Sequence, residues 1–136
     1  MGSLRDAENR KRTLEELEGV EWGPPTYPSH LTTTCHRLRK KPIGECTVED
    51  LRMLVGQNVG LSFLVPLALE MLERDALVAG DFYPGDLLGS LLRAERTYWE
   101  RHASEKKQLD RIVAGLGAVP EEIATELEKW RGGRAR

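Results

Sequence analysis

Cysteine is scarce in this 136-residue chain, with Cys35 and Cys46 its only two. A small secreted domain stapled by disulfides would carry more, so both are expected reduced and buried as small hydrophobes. They lack CxxC spacing, and the three histidines, His30, His36 and His102, complete no zinc-ligand pattern with them. Cys35 beside His36 could suggest a nucleophile and its base, but sequence neighbours on a helix point in different directions. Aromatic residues are few, at 6%, and the abundance of Leu, Glu and Arg favours helix over a β-sandwich. A long apolar run is also missing. Leu61 to Leu72 is the most apolar stretch, and it is shorter than the roughly 20 residues a membrane helix needs. The opening MGSLRDAENRKR has no apolar core after its charges, and Asp6 breaks the myristoylation pattern. No signal peptide, lipid anchor or membrane partner is therefore expected, and the expected compartment is the cytoplasm. GQNVG at 56–60 has glycines, but neither GxGxxG nor GxxxxGK[ST], and no strand precedes it. No cofactor or metal is implied.

What is present is a chain with 40% hydrophobic and 31% charged residues, the balance of a folded soluble domain rather than a disordered one. Its punctuation reads as consecutive helices. Thr13 with Glu16 makes a capping box, and Gly19 can stop the short helix that follows. WGPPTYPS, at 22–29, holds three prolines and reads as an extended connector. Ser29 caps a helix with Leu31, Cys35 and Leu38 on one face, ended by Pro42. Thr47 with Asp50 opens the next, whose apolar face is Leu51, Leu54 and Val55. Gln57 and Asn58 are expected to cap free carbonyls or amides where it closes.

Leu61 to Leu72 is apolar almost all round, which predicts a helix at the buried centre of a bundle, with Pro66 near its first turn or at a kink. After the loop GDFYPG, Asp86 is placed to cap a helix carrying Leu88, Leu91, Leu92, Tyr98 and Trp99. The segment 86–116 reads as one helix or two. Leu109, Ile112, Val113 and Leu116 form a further stripe stopped by Gly117. Pro120, Glu121 and Glu122 open a last helix with Ile123, Leu127 and Trp130 inward, ended by Gly132. There is no convincing period-two strand. The expected fold is all-α: a single compact bundle of about five to seven helices over 13–131, with flexible tails at 1–12 and 132–136.

A net charge of −2 conceals patterning. Glu15, Glu16, Glu18 and Glu21 cluster without a nearby base, and 61–92 carries Glu70, Glu73, Asp75, Asp81 and Asp86 against Arg74 alone. These are the concentrated single-sign stretches, suited to a basic partner. HRLRKK, at 36–41, is basic, but with a negative total charge it reads better as pairing with acids on a neighbouring helix than as a nucleic-acid site. GDFYPGD is the most distinctive loop, since it mixes Phe82 and Tyr83 with Asp81 and Asp86. Protein interfaces combine residues in this way at their energetic centres. A purely structural loop could use the same residues, with Phe82 buried and Asp86 capping. The candidate partner-binding residues are Asp81, Tyr83 and Asp86, with Glu73 or Asp75.

HRLRKKP, TVEDLR, GQNVGL, PLALEMLE and GDFYPGDLL, in this order and spacing, resemble the immunity proteins of contact-dependent growth inhibition systems. The resemblance covers the middle of the chain better than its ends. It implies a cytosolic protein that binds and neutralises a cognate toxin domain by occlusion, without catalysis, and it transfers no particular binding residue. Two alternatives stay open: a generic helical interaction or regulatory module with no toxin partner, and a small hydrolase built on the acids near Asp81 and Asp86. Neither the toxin's activity nor the oligomeric state is legible.

Overall fold

The structure is a computed structural model that describes residues 4–26 and 29–133. Among the described residues it holds nine α-helices, one 3₁₀ turn at Ile43–Glu45 and no strand. The helices are α1 (Leu4–Asn9), α2 (Leu14–Glu18), α3 (His30–Leu38), α4 (Val48–Gly56), α5 (Leu61–Arg74), α6 (Asp86–Arg93), α7 (Arg96–Arg101), α8 (Ala103–Ala114) and α9 (Glu121–Gly133). The all-α class holds, with more and shorter helices than the five to seven expected.

The capping signals act as the sequence suggests. Thr13 and Glu16 exchange both bonds of a capping box at the start of α2, and Thr47 and Asp50 do the same for α4. Ser29 Oγ accepts from the Thr32 amide at 3.0 Å. In this way Ser29, Thr13 and Thr47 each satisfy one of the amides a helix start leaves without a partner. In the connector at 22–29, Tyr27 and Pro28 lie outside the described residues.

Residues 4–12, expected as part of a loose tail, take defined structure. They form α1 and then run beside the 3₁₀ turn, where the Ile43 and Gly44 amides donate to the Arg12 and Arg10 carbonyls at 2.9 Å each. Gly44 permits this approach, because a Cβ there would meet the Arg10 carbonyl oxygen at 2.9 Å. At the other end α9 passes Gly132 and runs to Gly133, and 134–136 lie outside the described residues.

The segment 86–116 divides into three helices rather than one or two. Extended backbone at Ala94 and Glu95 makes the first break, and there the Glu95 amide donates to Asn58 Oδ1 at 2.9 Å. His102 makes the second break, its Nδ1–H donating to the Tyr98 carbonyl at 2.8 Å. Both breaks use side chains to satisfy backbone groups that a continuous helix would have satisfied itself. Asn58, in left-handed backbone at φ 57°, thereby caps an amide as its position suggested. Helix α8 ends at Ala114 with Gly115 as its cap, earlier than Gly117.

The most buried helix is α6, where the expectation had placed α5. Every residue from Asp86 to Leu92 is buried, and α6 packs against α4, α5 and α9. Small residues make this possible. Ser90 is fully buried and its Oγ donates to the Arg52 carbonyl of α4 at 3.0 Å, while a Cβ on Gly89 would stand 3.4 Å from Ile123 Cγ2 of α9. Helix α5 buries Leu61, Leu64, Val65, Ala68, Leu69 and Leu72. Its opposite side is open, with Pro66 exposed and Phe63 and Leu67 half-buried. Of the inner residues read from the pattern of α8 and α9, Leu109, Ile112, Val113, Ile123, Leu127 and Trp130 are buried, while Leu116 falls beyond the end of α8 and is half-buried. Leu31 is 39% exposed, and Thr34 takes the inward place on α3 instead.

Leu88 is fully buried in α6, so Leu88→Ala is expected to lower the unfolding free energy by about 2–5 kcal/mol. Leu31→Ala should change it by no more than about 0.5 kcal/mol. Urea denaturation of the two variants beside the parent measures both.

Candidate partner-binding site

The loop between α5 and α6 is tied to α4 by a compact polar knot. Asp86 is 2% exposed. Its Oδ1 accepts from the Gly80 amide at 2.6 Å and its Oδ2 from the Phe82 amide at 3.1 Å. The helix cap itself is Gly85, at φ +89° in the left-handed region where glycine is at ease. Asp86 is therefore the first residue of α6 and folds back to hold the loop, rather than capping the helix. Its charge sits at the positive end of the α6 dipole, and Arg52 Nε lies 3.9 Å from Oδ2.

Glu49 and Arg52 complete the knot from α4. The guanidinium of Arg52 donates to both Glu49 oxygens, at 2.7 and 2.5 Å, and Glu49 Oε1 also accepts from the Asp81 amide at 2.9 Å. The Arg52 guanidinium holds the Glu49 carboxyl below the usual carboxylate range, and Glu49 in turn raises Arg52. Gly80 is needed for space, not for an unusual backbone angle: a Cβ there would meet Glu49 Oε1 at 2.6 Å and Asp86 Oδ2 at 3.1 Å. Farther along, the Gly85 amide donates to the Leu77 carbonyl at 3.0 Å, and Ala79 bridges to Pro84.

This knot sorts the candidate residues. Asp81 is exposed. Phe82 is 68% exposed and lies on the outer side of the Arg52 guanidinium, whose central carbon is 4.3 Å from the ring centroid. Tyr83 is half-buried against the core, so the aromatic turned to solvent is Phe82. Asp86 is beneath the surface, out of reach of a partner. Asp75, exposed at the end of α5, accepts from the Leu77 amide at 3.1 Å, and Glu73 accepts from Gln108 of α8 at 3.0 Å. The loop thus gathers Asp75, Asp81, Phe82 and Tyr83, while Glu73 belongs to the α5–α8 side. Glu49 and Arg52 were not singled out from sequence. Their only sequence signal was the i, i+3 spacing of opposite charges on α4.

The acidic stretches are more compensated than their sequence suggests. Arg39, with none of its surface exposed, pairs with Glu18 at 2.6 Å, donates to the Val20 carbonyl at 2.7 Å and stacks on Trp22. Arg10 pairs with Glu70 at 2.6 Å, and Glu16 is taken up by its capping box. Lys41 of the basic run pairs with Asp50 of α4 at 2.7 Å, as read from sequence. Of the two acids considered for paired-carboxylate chemistry, Asp86 has both oxygens accepting from backbone amides, while Asp81 is exposed. The thiols are buried, and burial pushes Cys46 up to about 11 and raises Cys35, which keeps both protonated.

The architecture is thus a helical protein with a solvent-facing aromatic loop whose backbone is held by Asp86 and Glu49. The profile of the CDI immunity proteins, the immunity partners of contact-dependent growth inhibition, matches residues 16–109, and this chain belongs to that family. The matched span runs from α2 into α8 and contains the whole α5–α6 loop, the knot and the buried Arg39. Comparison with curated proteins finds no match. No helix among the described residues is long and apolar enough to cross a membrane.

Two outcomes are expected from the knot. Asp86→Ala leaves the Gly80 and Phe82 amides without their acceptor, at a cost of about 1–3 kcal/mol, and hydrogen exchange at those two amides should accelerate. A carboxyl lowered in the folded state stabilises fully above its unfolded value of about 4.3, and that contribution is lost as pH falls through the folded value. The melting temperature should therefore drop on acidification below about pH 4.3, and Glu49→Gln should make that drop shallower.

Proposed function

We propose that this chain acts in the cytosol by binding a cognate toxin domain one to one and covering its working surface, without turning over any substrate. Membership of the immunity family supports neutralisation of a toxin. The observation that carries the binding reading is Phe82, held in water on top of Arg52 by a loop whose Gly80, Asp81 and Phe82 amides donate to Asp86 and Glu49. Aromatic residues and arginine are the side chains that dominate interface energies. Holding them in place before contact lowers the ordering cost of association. Exposed Asp81, with Asp75 at the end of α5, would add negative charge suited to a basic toxin face. Tyr83 and Asp86 would support the contact from beneath. Occlusion rather than catalysis fits carboxylates that are already committed to guanidinium and amide partners.

Calorimetry against a cognate toxin domain, sought first in the gene immediately upstream, tests this. A stoichiometry of one is expected. Phe82→Ala should weaken binding about tenfold or more while leaving the melting temperature nearly unchanged. Asp81→Lys should slow association and flatten its salt dependence. If both variants bind as tightly as the parent, the loop is not the contact. If protection is complete at strongly substoichiometric protein, occlusion is wrong.

A further inference from the structure

The outward face of α5 forms a groove of about 450 Å³ between α1, the 3₁₀ turn and α8. Its floor is apolar, made by Phe63, Pro66 and Leu67. Phe63 and Leu67 belong to the residues that made α5 read as apolar all round, and with Pro66 they lie on the side that the fold leaves open. Around the floor stand three carboxylates, Glu70, Glu73 and Glu105, and among the residues lining the groove the only cationic side chain is Arg10. Arg10 shows how a guanidinium sits there, donating to both Glu70 oxygens at 3.2 and 2.6 Å. Glu73 and Glu105 are engaged only by uncharged donors that the structure shows, Gln108 and the Tyr98 hydroxyl.

Pro66 adds a backbone feature. It lies inside α5 and has no N–H to offer the Ser62 carbonyl one turn earlier. Ser62 also lines the groove, so the one turn of α5 that lacks a helical N–H lies along its wall. Apolar floor and surplus carboxylate favour the same visitor: an apolar side chain flanked by Lys or Arg.

We infer that this groove is a second docking site for the toxin domain, receiving a segment in which an apolar residue is flanked by basic ones. The inference rests on the toxin-binding reading above and adds where a second contact lies and what chemistry it takes. Charge complementarity decides the occupant. A second copy of this chain would have to bring a basic, apolar segment to a rim that is already acidic. An apolar floor with a carboxylate rim holds such a segment by burial at its centre and by charge at its edges.

Pro66→Arg is the informative variant. Position 66 is exposed, and arginine restores the missing helical N–H, so the melting temperature should stay equal or rise. The same side chain places a cation and bulk in the groove and should weaken toxin binding about 30-fold or more. Phe63→Ala, which removes part of the floor, should weaken it about tenfold. Glu73→Gln should lower the association rate and its salt dependence. Calorimetry and surface plasmon resonance on the full chain read all three, with sedimentation velocity alongside. Toxin affinities of Pro66→Arg and Phe63→Ala within about threefold of the parent, with Phe82→Ala still impaired, would overturn the groove and leave the toxin-binding reading standing. A parent that binds no toxin overturns both. A parent that sediments as a dimer, split by Pro66→Arg, assigns the groove to a second copy and overturns the inference.

Discussion

The buried carboxylate of Asp86 is the constraint on which the α4–loop–α6 region depends. A charge taken out of water at the start of the most buried helix is costly unless each oxygen is answered. Here the loop amides of Gly80 and Phe82 answer it directly, Arg52 stands at 3.9 Å, and the α6 dipole adds a favourable field. Because the acceptors come from one end of α6 and the donors from the loop, the loop has little freedom left. Because Arg52 is shared with Glu49, the loop is also anchored to α4. The exposed position of Phe82 follows from that anchoring, since the ring lies on the guanidinium that completes the knot.

Arginines distant in sequence repeat this logic elsewhere. Arg39 is buried among Glu18, the Val20 carbonyl and Trp22, and so ties the segment after α2 to the end of α3. Arg10 ties the N-terminal segment to α5 through Glu70. Each is a tertiary contact between a base and an acid that share no local sequence. Together they turn apparent blocks of one sign into a more mixed surface, in which Glu18 and Glu70 are answered by arginine while Asp75 and Asp81 stay exposed. Exposed ion pairs contribute little to stability, so the buried Arg39 and the knot matter more than Arg10 for holding the fold, and all three matter for the surface field.

The proposed recognition role is served by this distribution. The core, built around α6, α4 and α9, supplies rigidity. The rigid base presents one aromatic loop and leaves one acidic apolar groove open. Association then costs less ordering at the loop than it would for a mobile segment. The family match at 16–109 encloses the loop and most of the groove floor and rim, whereas Arg10 and α9 fall outside it.

The helix starts at Thr13, Ser29 and Thr47, the inward faces of α4, α8 and α9, the all-α class and the family resemblance were all legible in the sequence. They depend on local bonds and on spacing along one helix, and these are properties of adjacent residues. Only the tertiary structure decided that α6 rather than α5 is the most buried helix, because Gly89 and Ser90 matter only when α9 and α4 lie against them. It also decided that Asp86 turns inward and Phe82 outward, since Glu49 and Arg52 reach the loop from another helix. The breaks at Ala94–Glu95 and His102 belong to the same class, the first requiring Asn58 from a distant turn. Charge, likewise, could be counted from the sequence but not paired, because Coulomb and hydrogen-bond partners are set by distance in space and not by distance along the chain.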